Sequence, residues 1–109
     1  MNVSYAAVEP SRSEVDTLSG PVLVEFGASW CGICKAAQPL LAKALDGMPP
    51  LRHLKIEDAS GRPLGRSFGI KLWPTLIFMR DGKELGRLVR PDSADAIRRE
   101  LAQLLNSAR

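Results

Sequence analysis

Trp30-Cys31-Gly32-Ile33-Cys34-Lys35 decides the reading of this chain, because it holds both of its cysteines. They stand three positions apart, shortly after the apolar run Val22-Leu23-Val24-Glu25-Phe26 and ahead of a helical pattern. Two thiols so spaced, where a strand gives way to a helix, can close a small ring and reopen it. Passing a disulfide to another molecule requires that property. With no third cysteine in the chain, no structural crosslink competes for either sulfur.

The first turn of a helix presents unpaired N–H groups and a partial positive charge, and both favour an anion there. Cys31 is therefore expected in the N-cap region as the exposed nucleophile. Cys34, one turn inside, is expected to resolve the mixed disulfide. Gly32 allows the tight turn between them, and Trp30, Ile33 and Lys35 are the flanking residues expected to tune the redox chemistry. A half zinc site is the bland alternative, but structural zinc needs four ligands. The chain offers no second cysteine pair and a single histidine, His53. The exchange calls for no metal and no cofactor, and His53 reads as a plain surface or core residue of a strand.

Upstream, Ser11 and Glu14 form a capping-box pair opening a short helix, with Val15 and Leu18 on its inner face and Gly20-Pro21 ending it. The run Val22–Phe26 is nearly continuous in apolar character, as in a strand covered on both faces. Glu25 interrupts it. An acid in such a strand is rare unless paired or functional. Six residues before Cys31, it is placed to lie beneath the cysteines, take a proton from the resolving thiol and return it. The competing reading puts Glu25 in solvent at a strand end. Lys55 or His53, on a neighbouring strand, would supply a balancing partner.

Downstream, Lys35 to Leu45 reads as a closely packed helix kinked by Pro39, and Gly47-Met48-Pro49-Pro50 ends it. Leu51 to Ile56 reads as a strand, and residues 59–69 as a loop with a short helix over Pro63 to Phe68. Thr75 to Met79 is a strong strand, and Asp81-Gly82 signals a tight hairpin returning through Glu84 to Val89. Asp92 or Ser93 caps a last helix with Ile97, Leu101, Leu104 and Leu105 on one stripe. Trp73-Pro74-Thr75 opens the strong strand, where a proline is tolerated only at a start or an edge. The order predicts an α/β protein with a mixed sheet and helices on both faces.

The 109 residues fit a single domain, 45% apolar and 25% charged, which is ordinary for a soluble globular protein. A formal charge of +3 with scattered basic residues argues against nucleic-acid binding. Met1 to Pro10 lacks the basic and apolar parts of a signal peptide, and no apolar run reaches membrane-spanning length. These features lead to the expectation of a cytoplasmic monomer with no membrane contact, where a vicinal thiol pair is catalytic rather than structural.

With these pieces placed, the chain resembles the thioredoxin family from about Ser11 to Leu105. The resemblance is carried by Trp30-Cys31-Gly32-x-Cys34-Lys35, Pro39, Phe68-Gly69-Ile70, Pro74-Thr75 and Asp81-Gly82. It implies a thioredoxin fold: a four- or five-stranded mixed sheet flanked by helices. It also implies that Pro74 is cis beside Cys31, where neighbouring backbone pairs with an incoming peptide. Disulfide-containing proteins would be the substrates, and a flavoprotein or other dithiol reductase the electron donor.

The departures fall around the site. Ile33 stands where the family usually has proline, Glu25 where it has aspartate, and Gly27 where tryptophan is common. Leu72 and Trp73 are bulkier than usual before the proline, and Arg90 replaces a glycine. Trp73, Pro74, Thr75 and Arg90 are the expected substrate-binding residues, and Ile33 is expected to make the disulfide more oxidising. The resulting reading is a thiol-disulfide oxidoreductase that reduces protein disulfides. Two rivals are an adaptor or chaperone with a redox-switched groove, widened at Gly27 and rimmed by Trp73, and, if exported, a disulfide oxidase or isomerase.

Overall fold

The computed structural model describes residues 1, 4–59 and 62–107. Ser60 and Gly61, read from the sequence as loop, lie outside the described residues. The elements follow in the order α1 (Arg12–Asp16), β1 (Pro21–Gly27), α2 (Gly32–Leu45), β2 (Arg52–Glu57), α3 (Pro63–Ser67), β3 (Thr75–Arg80), β4 (Lys83–Val89) and α4 (Ala94–Asn106).

The apolar run of β1 is buried on both faces because β1 is an inner strand of the sheet order β2-β1-β3-β4. It pairs parallel to β2 and antiparallel to β3, and β3 pairs antiparallel to β4. A parallel neighbour needs a long crossover, which α2 supplies. Four strands are present among the described residues. From the N-terminal segment the Ala6 N–H donates to the Lys55 carbonyl at 2.8 Å along the β2 edge.

Apolar side chains fill both sides of the sheet. One cluster joins Val15 of α1 and Leu64 of α3 to Val22, Val24, Phe26, Ile56, Ile77 and Met79. The other joins Leu41 and Ala44 of α2 and Ile97, Leu101 and Leu104 of α4 to Leu23, Leu76 and Phe78. Each fully buried Leu, Ile or Phe side chain is worth about 1.5–3 kcal/mol relative to exposure. Polar clips dock the helices. Arg12 stacks 3.7 Å over the Phe68 ring and donates to the Ser67 carbonyl, while Arg98 donates to the Lys43 carbonyl near the end of α2.

Most predicted boundaries agree with the structure. The Ser11–Glu14 capping box is complete. Asp81 and Gly82 both have positive φ, 51° and 81°, the signature of the two-residue turn whose twist matches a hairpin. A Cβ at Gly82 would strike the Asp16 carbonyl oxygen, so this glycine is needed for space as well. Of the two residues expected to cap α4, Ser93 does so through its hydroxyl. Other details shift slightly. β2 begins at Arg52 rather than Leu51. Leu105 is only half-buried, at the edge of the α4 stripe.

Candidate active site

Cys31 is the N-cap of α2, with extended backbone, and its Sγ accepts the backbone N–H of Cys34 at 3.2 Å. A capping side chain normally satisfies one of the helix's orphan donors, and here a sulfur does so. The two thiols are free and unequal in exposure: Cys31 is half-buried, whereas Cys34 is 1% exposed. Burial, then the hydrogen bond with Cys31, pushes the Cys34 thiol up to about 12. The negative charges of Cys31 and Glu25 act in the same direction, and the Ala28 backbone opposes them in part. Gly32 and Ile33 are exposed in the first turn of α2, as is Lys35. The helix runs unbroken through Pro39, which lies on its exposed side.

Beneath Cys34, Glu25 is wholly buried, contrary to the solvent-facing alternative. One carboxylate oxygen accepts from Gln38 Nε2 at 2.8 Å, and the other lies 3.0 Å from His53 Nε2. Gln38 Nε2 also donates to the Cys34 carbonyl at 3.0 Å, and its Oε1 accepts from Lys55 Nζ at 2.8 Å. Both expected partners of Glu25 thus join one network, Lys55 through Gln38. His53 and Lys55 alternate on β2 and so share a face, which is why one strand delivers both.

Gly27 does not widen the groove. A Cβ placed there would lie 2.8 Å from Cys34 Sγ and 3.1 Å from the Tyr5 hydroxyl, so the missing side chain leaves room behind Cys34. Tyr5 reaches this spot from the N-terminal segment, with Lys55 Nζ 4.8 Å from its ring centroid. Its hydroxyl is held above its ordinary range, chiefly by burial and then by the charges of Cys34, Glu25 and Cys31. A cavity of about 170 Å³ opens here, lined in part by Tyr5, Ser29, Cys34, Lys35, Gln38 and Lys55.

The other side of the site is built on β3. The Trp73–Pro74 bond is cis, as the resemblance implied. Trp73 meets Trp30 edge-on with ring centroids 6.3 Å apart, which brings the proline turn against the cysteine turn. Trp73 Nε1 donates to Asp58, and its carbonyl accepts from Arg90 Nε at 2.8 Å. Arg90 has φ 51°, a left-handed backbone, which accounts for the glycine usual in the family. Thr75 departs from its expected place in the groove. It is 1% exposed, and its hydroxyl donates to the Leu72 carbonyl, so it braces the turn from below. Trp30, Ile33 and Leu72 leave 61%, 45% and 47% of their surfaces exposed, an apolar rim in keeping with a docking face.

Sequence reading missed Gln38, Tyr5 and Asp58. Gln38 carried a signal, since it lies four residues after Cys34 and therefore on the same helical face. Tyr5 carried none, because only the tertiary fold brings it to Gly27. Among the described residues, no group of three or more His, Cys, Asp or Glu side chains is placed to hold a metal ion. No helix there is long and apolar enough to cross a membrane.

A vicinal dithiol at a helix N-cap, a buried acid beneath it and a cis-proline turn beside it coincide with a match to the thioredoxin family model over residues 3–103. The chain belongs to the thioredoxin family. It is 44% identical over 80 residues to a thioredoxin of Chlamydia muridarum, covering 72% of this chain and 78% of the relative. A thioredoxin of Mycobacterium tuberculosis is 36% identical over 93 residues, covering 83% of this chain and 80% of that one. Among solved structures, reduced thioredoxin 2 from Pseudomonas aeruginosa is similar at 52% identity. The TM-score is 0.87, with 99% of this chain and 100% of that chain covered. As a member of this family, the protein is a thiol-disulfide oxidoreductase that reduces disulfide-containing proteins. The comparisons do not favour the adaptor or the oxidase and isomerase alternatives.

Proposed function

We propose that Cys31 is the nucleophile and Cys34 the resolving thiol of this protein. Cys31 Sγ attacks a disulfide of the substrate protein and forms a mixed disulfide, and one substrate sulfur leaves as a thiolate. Cys34 Sγ then attacks Cys31 Sγ. The Cys31–substrate bond breaks, its electron pair leaves with the second substrate sulfur, and the Cys34 proton passes towards Glu25. The substrate gains two electrons, and the protein keeps a Cys31–Cys34 disulfide. One observation carries the assignment: Cys34 N–H caps the more exposed sulfur at 3.2 Å while its own thiol is buried and pushed up to about 12. Insulin-disulfide reduction by Cys31→Ser and Cys34→Ser tests it. The first variant should be inactive and the second should accumulate covalent substrate adducts, and turnover by either one refutes the assignment.

Around this pair, Trp30, Gly32, Ile33 and Lys35 set the redox poise. Trp73, Pro74 and Arg90 hold the substrate backbone, with Thr75 fixing the turn from below. The exposed Trp30, Ile33 and Leu72 support a rim that docks apolar side chains. A flavoprotein or other dithiol reductase returns the disulfide to the dithiol. The protein works as a single domain over residues 1–109 and as a monomer in the cytoplasm.

A further inference from the structure

The orientation of Gln38 is fixed by its surroundings. Lys55 Nζ is a donor only, so it must face Gln38 Oε1, and Nε2 is left to face Glu25 and the Cys34 carbonyl. Gln38 is therefore a constant donor to one Glu25 oxygen. While Glu25 is a carboxylate, it accepts from Gln38 on one oxygen and from His53 Nε2–H on the other. Once Glu25 is neutral, it carries an O–H of its own inside a wholly buried site, and that hydrogen needs an acceptor. Of its two partners only the imidazole can accept, by leaving Nε2 bare and carrying its hydrogen on Nδ1.

We propose that Glu25 and His53 hold the proton of the resolving step as one unit, with His53 the positioning residue that lets Glu25 change charge without losing a hydrogen bond. This rests on the reading of Glu25 as the acceptor of the Cys34 proton. As Cys34 Sγ bonds to Cys31 Sγ and the substrate thiolate leaves, the released proton enters the pair. Whether the shared proton then lies on the carboxyl or on Nε2, a pair that holds the extra proton has Nδ1 protonated. A pair without it has Nε2 protonated and Nδ1 bare. Among the described residues, Glu25 of β1 faces His53 directly, Gln38 of α2 and Lys55 of β2 are joined to it through Glu25, and Met1 lines a cavity with His53 on the N-terminal side. Any pH profile must be read with those groups in mind.

The chain has one histidine, so its ring ¹⁵N signals are unambiguous. The test combines those signals in the wild-type protein with single-turnover rates for resolving a preformed Cys31 mixed disulfide across pH 5–9. The variants are Glu25→Gln, His53→Val and His53→Gln. In the expected result Nδ1 gains its proton across the same pH interval in which the resolving rate inflects, and Glu25→Gln abolishes that coincidence. Glu25→Gln and His53→Val each slow resolution about tenfold or more. His53→Gln, whose amide turns to donate or accept, recovers most of the rate. If Nδ1 stays bare throughout the rate inflection, the inference fails, and this measurement needs no variant to fold. If His53→Val keeps the wild-type rate and profile while Glu25→Gln is slow, Glu25 works without His53 and the inference fails alone. If Glu25→Gln is unimpaired, the reading of Glu25 fails and takes the inference with it.

Discussion

Arg90 clamps Trp73. From a left-handed backbone at φ 51° its Nε donates to the Trp73 carbonyl at 2.8 Å, and its own N–H donates to the Pro74 carbonyl at 2.8 Å. A non-glycine residue held in that region costs on the order of 1 kcal/mol. Arg90→Gly should remove this strain together with the side-chain clamp. Urea melts are expected to show unchanged or slightly higher stability, by up to about 1 kcal/mol. The kcat/KM for a protein disulfide should drop several-fold, while reaction with a small aromatic disulfide, which needs no backbone docking, stays near the parent value. Equal losses on both substrates would remove Arg90 from substrate binding.

The inequality of the two thiols sets a second expectation. Iodoacetamide at pH 8 should modify Cys31 and leave Cys34 as the thiol, giving a singly alkylated product by mass spectrometry. Stability follows the same group. The folded protein holds the Cys34 proton up to about 12, above the ordinary thiol value of 9.0, so the unfolded chain releases it first. Stability present below pH 9 is therefore lost as pH rises towards 12. The unfolding free energy of the reduced protein should fall more steeply over that interval than that of Cys34→Ala. Parallel curves would show that Cys34 ionises alike in both states.

Ile33 occupies an exposed position in the first turn of α2, where it makes no demand on the core. Ile33→Pro restricts the turn and should leave the thermal midpoint nearly unchanged. Equilibration with glutathione is expected to give a lower reduction potential, by on the order of 30 mV, or about tenfold in the equilibrium constant. An unchanged or raised potential contradicts a tuning role for this residue.

Gly27→Ala probes the space behind Cys34. The new Cβ would lie 2.8 Å from Cys34 Sγ, and Cys34 is the buried residue of the first turn of α2. Tyr5, on a terminal segment, yields more easily. Overpacking of this kind costs about 1–3 kcal/mol. The variant should unfold at lower urea in the reduced state and resolve mixed disulfides more slowly. Parental stability would mean that the sulfur moves aside at little cost.

What could be read in advance was local. The capping box at Ser11 and Glu14, the Asp81-Gly82 turn and the unbroken apolar run of β1 each express their conformation within a few residues. The cysteine spacing at a helix start gave the chemistry on similar terms. Pairing across the sheet is different. That Glu25 meets His53 directly but Lys55 only through Gln38 depends on side-chain length and on how α2 lies over β1 and β2. The choice between Asp92 and Ser93 as cap turned on one residue of phase. Thr75 looked like a groove residue because it follows Pro74, yet its side chain is buried and its hydroxyl is bonded to the Leu72 carbonyl. Gly27 looked like an absence in the groove, whereas its space lies on the opposite side of Cys34, against an N-terminal tyrosine.

The hydrogen bond from Ala6 to the β2 edge, with Tyr5 beside it, has a practical side. Affinity handles fused close to the amino terminus would pull on a segment that shields the second sulfur. Preparations tagged there are expected to differ in thiol reactivity from untagged material, even where their melting curves superimpose. Kinetic work is best done on protein with no tag fused close to Tyr5.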